Sequence, residues 1–121
     1  LAHIQMGQAL RALSNENVLV IGSGFSFHNL KAFFSASTPE ATHNNQAFEA
    51  WLLETCASQT LTEAQRAQRL LAWKEAPGAT FCHPREEHLL PLHVCYGLAE
   101  RACAAAIELD IMGKRSSMYG W

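Results

Sequence analysis

This chain of 121 residues is most informative at first for what it does not contain. No stretch approaches the roughly 20 consecutive apolar residues of a membrane-spanning helix, and the first residues carry no signal-peptide pattern. The nine Lys and Arg are scattered and the formal charge is −2, so no basic face offers itself to nucleic acid. None of the four cysteines, at positions 56, 82, 95 and 103, forms a C-x-x-C pair. With this much aliphatic content they read as reduced core thiols rather than a disulfide framework, which predicts a cytoplasmic protein. The zincin motif H-E-x-x-H is absent, as are internal repeats and low-complexity segments. Only 17% of residues are charged against 49% apolar, the balance of a globular domain that can bury a core. Residue 1 is Leu rather than Met, which predicts a fragment or a processed chain.

The chain alternates helical and extended patterns. Residues 2–14 place Ile4, Met6, Ala9, Leu10 and Leu13 near helical spacing, and Ser14 to Asn17 break the pattern. "VLVIG", residues 18–22, reads as a short, fully apolar, buried central strand. A helix feeding directly into such a strand is the grammar of an α/β fold. Residues 25–34 read as a loop opening a short helix, and 35–42 as a polar linker. Helices are predicted over 44–57 and 62–75, the latter capped near Thr62 and ended by Pro77-Gly78. Residues 79–83 read as extended. A long helix is predicted from Arg85 to about Ala106, with Pro84 in its first turn and a kink or an irregular turn at Pro91, and the tail as a final strand.

Two segments concentrate groups that can do chemistry. "CHPREEHLLPLHV", residues 82–94, holds His83, His88 and His93 with Glu86 and Glu87 between them. A step of five residues turns a helix about 500°, so these histidines do not share one face, and a three-histidine cage from this segment alone is disfavoured. One ligand from here, joined by others elsewhere, fits better. Each residue also has an ordinary explanation. Acids such as Glu86 and Glu87 suit the first turn of a helix, His93 between Leu92 and Val94 suits packing, and Arg85 suits an ion pair. His3 and His43 read as surface residues, and His83 is open between a site role and a place before a helix. The second segment is "IGSGFSFHN", residues 21–29. It lacks the full G-x-G-x-x-G spacing and the lysine of a phosphate loop. What remains is His28 beyond the carboxyl end of a strand, where open α/β sheets bind ligands, with a side chain suited to acid–base work near neutrality.

Taken together and in this order, "VLVIGSGFSFHNL" and "HPREEHLLPLHVCYG" resemble the class III extradiol ring-cleavage dioxygenases. The likeness is to the DOPA 4,5-dioxygenase type, related to the catalytic subunit of protocatechuate 4,5-dioxygenase. The resemblance implies an α/β domain with a central mixed sheet flanked by helices. It also implies oxygen-dependent opening of a catechol-type ring at a non-haem Fe(II), with zinc as the other metal. Within the family pattern His28 is the acid/base facing substrate and oxygen. His88 is a metal ligand, with Glu87 the alternative because one branch uses a carboxylate there. Phe25, Phe27, His83 and Arg85 are candidate substrate-pocket residues, and the partners implied are a small aromatic diol and O2. Family domains are longer than this chain and carry two further histidine ligands in an N-terminal half that nothing in residues 1–20 matches. Residues 1–121 are therefore expected to form the C-terminal part of one catalytic domain. The missing half would come from the same or another chain, and a homo-oligomer is possible. A non-enzymatic metal-binding or scaffold protein on the same fold is the competing reading, and a zinc hydrolase a weaker one.

Overall fold

The computed structural model describes all residues from Leu1 to Trp121. The fold is α/β: six helices and one antiparallel ribbon. Helix α1 (Ala2–Ala9) tightens into a 3-10 turn over Leu10–Asn15. Helix α2 (Leu30–Phe33) is short, and α3 (Pro39–Ala57) is the longest. Helices α4 (Glu63–Leu71), α5 (Ala79–Cys82) and α6 (Leu90–Ala99) follow. Strand β1 (Ala105–Ile111) then pairs antiparallel with β2 (Lys114–Gly120).

Local chemistry explains most of these boundaries and corrects several expectations. Helix α3 begins within the expected linker, because the Thr38 hydroxyl accepts from Ala41 N–H and Pro39 sits in the first turn, which needs no proline N–H. Thr62 and Gln65 form a reciprocal capping box at the start of α4. Residues 79–82 are helical rather than extended, following Gly78 at φ 72°. The expected long helix from residue 85 is split: 84–89 are turns, and Pro91 lies in the first turn of α6 instead of kinking its middle. The expected helix runs to about Ala106, but α6 stops at Ala99 and β1 begins at Ala105. Its reversal into β2 uses Met112 and Gly113, both at positive φ, with the Gly113 N–H donating to the Asp110 carboxylate at 2.9 Å.

The main core gathers Phe27, Phe48, Leu52, Cys56, Trp73, Cys82, Leu89 and Cys103 around α3. Beside it, buried Arg66 joins two helix ends. Its guanidinium donates to the carbonyls of Thr55 and, at 2.7 Å, Ser58 where α3 stops, and its Nε meets the Glu63 carboxylate at 3.1 Å. Those carbonyls have no partner within the helix, so a fixed, five-donor cation satisfies them where water cannot. All four cysteines are free, three of them buried.

The segment 18–22 departs most from expectation. It forms no sheet pairing, and its side chains are open to solvent, Leu19 at 83% and Ile21 at 77%. The apolar run has the composition of a central strand, but these residues contain no strand to pair with it.

Helices α1 and α6 meet backbone to backbone. A Cβ at Gly7 would overlap the Val94 carbonyl oxygen, and one at Gly97 would overlap that of Ile4. Adding that single methyl should force the pair apart. Gly97→Ala is therefore expected to destabilise the protein by about 1–3 kcal/mol, read as a lowered Tm, whereas an unchanged Tm would show that the helices can separate freely.

Candidate functional site

The site forms where the 22–29 segment lies across the turn preceding α6. A Cβ at Gly22 would come 2.7 Å from Cys95 Sγ and 3.0 Å from the Pro91 carbonyl oxygen. A Cβ at Gly24 would collide with the His88 carbonyl oxygen. The two glycines thus serve close backbone approach, the second use of this residue besides permissive φ. Beyond them the chain is tied down. His28 N–H donates to the Cys82 carbonyl at 2.9 Å, and the Asn29 amide donates to the Phe81 carbonyl at 2.7 Å. Asn29 also caps α2 by accepting from Ala32 N–H at 3.0 Å. An Asn directly before a helical run is a capping signal that was present in the sequence; its tie to Phe81 was not.

These contacts bring His28 and His88 together across 60 positions of sequence. Their rings stack with centroids 3.4 Å apart and planes 12° from parallel. Both residues are half-buried. Burial first, and the neighbouring His88 ring second, hold the His28 imidazole below its ordinary 6.5, partly opposed by Glu87. A neutral ring is thereby favoured at physiological pH, with one nitrogen free to accept a proton. Glu87 is exposed and paired with Arg85 at 3.3 Å. Its own backbone N–H, then Arg85 and the two histidines, hold its carboxyl below the usual range. Residues 83–87, which precede His88 in the chain, line a cleft of about 490 Å³ together with Trp73, Lys74 and Thr80; neither His28 nor His88 lines it. Lys74 and Glu86 form an ion pair at 3.0 Å on its rim, a contact with no sequence signal.

The remaining expected site residues are spread over different environments. Phe25 is exposed, while Phe27 is fully buried, edge-on to Phe33 at 5.1 Å. The Arg85 side chain is 82% exposed. His83 is buried, and its Nε2 donates to the Ser26 carbonyl at 2.6 Å. His93 is also buried, bridging the carbonyls of Leu70 at 2.8 Å and Leu89 at 3.2 Å. His43 is exposed and His3 half-buried. Glu86 and Glu87 lie in the turn before α6, not in a helical first turn.

As metal donors, accessible His88 and Glu87 are an imidazole and a carboxylate, ligand types that suit a divalent iron or zinc ion. They fit one or two coordination positions, and no group of three or more His, Cys, Asp or Glu side chains is assembled that could hold an ion.

Residues 2–118 match the family described as the catalytic LigB subunit of aromatic ring-opening dioxygenase. The chain belongs to this family. Among similar proteins, dioxygenase tasH of Hapsidospora irregularis is 36% identical over 104 residues, covering 81% of this chain and 32% of that protein. The 4,5-DOPA dioxygenase extradiol of Beta vulgaris is 34% identical over 101 residues, covering 80% of this chain and 34% of its own length. A crystal structure of the uncharacterized protein JW3007 from Escherichia coli K12 superimposes with TM-score 0.63 at 27% identity, covering 95% of this chain and 48% of that one. The chain thus spans about a third of the length of the curated relatives it matches. No helix is long and apolar enough to cross a membrane.

Burial drives the His83 pKa down from 6.5 to about 4, against the pull of its bond to Ser26 and with smaller contributions from His28, His88 and His93. The folded value lies below the unfolded one, so burying the ring carries no protonation cost above pH 6.5, and stability falls as pH drops from 6.5 toward 4 and the buried ring must be charged. A shift of this size corresponds to on the order of 3 kcal/mol. Denaturant melts between pH 7 and 4 should show His83→Phe losing less stability on acidification than the parent; parallel losses would contradict the assignment.

Proposed function

We propose that this chain is the acid/base-bearing part of an extradiol dioxygenase that opens a catechol-type ring with O2 at a non-haem Fe(II), with zinc as the other metal. Family membership supports the reaction class. The stacking of His28 on His88 carries the assignment of roles within this chain. His88, with Glu87 as alternative, would hold the metal from this side. When bound, Fe(II) would supply the Lewis-acid and redox chemistry that an aromatic diol and dioxygen need.

The chain's own residues do the rest. His28, favoured in its neutral form, accepts a proton from a catechol hydroxyl and later returns it to the opening ring. In the turn before His88, Lys74, Arg85, Glu86 and Glu87 border a cleft and would meet the substituents of a small aromatic diol held at His28 and His88. The remaining metal ligands would come from a further segment, in the same or a second chain. The solvent-exposed apolar run at 18–22 supports this, since it has the makings of an inner strand and no neighbour. Four free thiols fit a reducing compartment, in keeping with a cytoplasmic enzyme.

The experiment uses protein from the complete reading frame, loaded with Fe(II) without oxygen and then given O2 and a catechol such as DOPA. A yellow ring-opened semialdehyde should form with matching oxygen uptake, and His28→Ala should lower kcat by roughly 100-fold or more while iron content stays unchanged. Absence of product and of oxygen uptake above the His28→Ala level would overturn the proposal. Absence of stoichiometric iron or zinc as well would favour a non-enzymatic scaffold.

A further inference from the structure

The turn carrying His28 is held at Ser26 by two other parts of the chain. On one side the Ser26 carbonyl accepts from His83 Nε2 at 2.6 Å. On the other, the Ser26 hydroxyl oxygen accepts from Ser117 N–H of β2 at 2.7 Å, and the Ser117 hydroxyl donates to the buried Glu49 carboxylate at 2.6 Å. His83 itself has little freedom. It meets the Phe48 ring at 5.4 Å and the Trp73 ring at 5.9 Å, both in edge arrangements, and only 2% of its surface is exposed. It is one of the residues lining the cleft.

A neutral imidazole has one N–H. With that proton on Nε2, facing Ser26, the other nitrogen Nδ1 is a buried acceptor with no partner. An unpaired buried polar atom costs free energy, so packing alone would favour a phenyl ring in this slot. The one thing histidine adds is the donor that reaches the Ser26 carbonyl.

We propose that His83 is a positioning residue: its Nε2–H fixes the Ser26 carbonyl, and with it the place at which the His28 ring stacks on His88. This rests on the reading of His28 as the acid/base, but the stack can be measured without turnover. His83 thus acts through Ser26 rather than by touching an aromatic diol.

Two substitutions in the full-length protein test this. His83→Phe keeps the ring and removes the donor, and His83→Gln restores an amide N–H of similar reach. With histidine-labelled protein and no added metal, the carbon-bound ring protons of His28 and His88 should be shifted upfield by stacking. That shift should persist in His83→Gln and be lost in His83→Phe, while Phe leaves Tm unchanged or raised. In catechol turnover His83→Phe should lower kcat by roughly 10- to 100-fold with little change in KM, and His83→Gln should recover most of it. Persistence of the upfield shift in His83→Phe, or its loss in folded His83→Gln, overturns the proposal. Should His83→Phe not fold, His83→Asn, whose shorter amide falls short of Ser26, takes its place with the same expected loss. If the parent turns over no catechol, the ring-cleavage reading fails while the proton shifts still decide the role of His83.

Discussion

Close backbone approach governs this structure, and glycine makes it possible. At Gly22 and Gly24 the chain lies against Cys95, Pro91 and the His88 carbonyl with no room for a side chain. The same device, Gly7 against Val94 and Gly97 against Ile4, seats α1 on α6. Helix α6 and the turn before it are therefore gripped by two separate stretches of the N-terminal region. One stretch sets the scaffold. The other delivers His28 to His88, and the ties from Cys82, Phe81 and His83 hold it there.

How much of this was legible in the sequence depended on range. The capping groups at Thr62 and Asn29 are local, and so were α4 and the start of α2. Pro39 and Pro91 misled in opposite ways. The first reads as a linker residue and the second as a kink or an irregular turn, yet both occupy first turns of helices, where a proline N–H is not missed. The β1–β2 ribbon was half visible. Its tail strand is legible, but only Ala105 and Ala106 of its partner fall within the expected helix, residues 107–111 carry no assignment, and the Met112-Gly113 turn that reverses the chain lies inside the expected tail strand.

The run at 18–22 shows the limit of pattern reading most clearly. Its composition was read as that of a buried strand, yet burial and pairing are properties of what surrounds a segment. Val18, Leu19 and Ile21 are exposed and the run pairs with no strand, while the chain spans only about a third of the curated relatives it matches. The site followed the same logic. The types of residue at positions 28 and 88 pointed to chemistry, and the family motifs linked the two. The ring stack, the Ser26 clamp and the Lys74–Glu86 rim are long-range contacts that no single-sequence pattern encodes.

The central claim is that the absent side chain at Gly24 allows the His28 ring to reach His88. It is tested most directly by cross-relaxation between the carbon-bound ring protons of the two histidines in parent protein and in Gly24→Ala. The account predicts a strong cross-peak in the parent and none in a folded Gly24→Ala protein. A cross-peak of equal strength in both would contradict it.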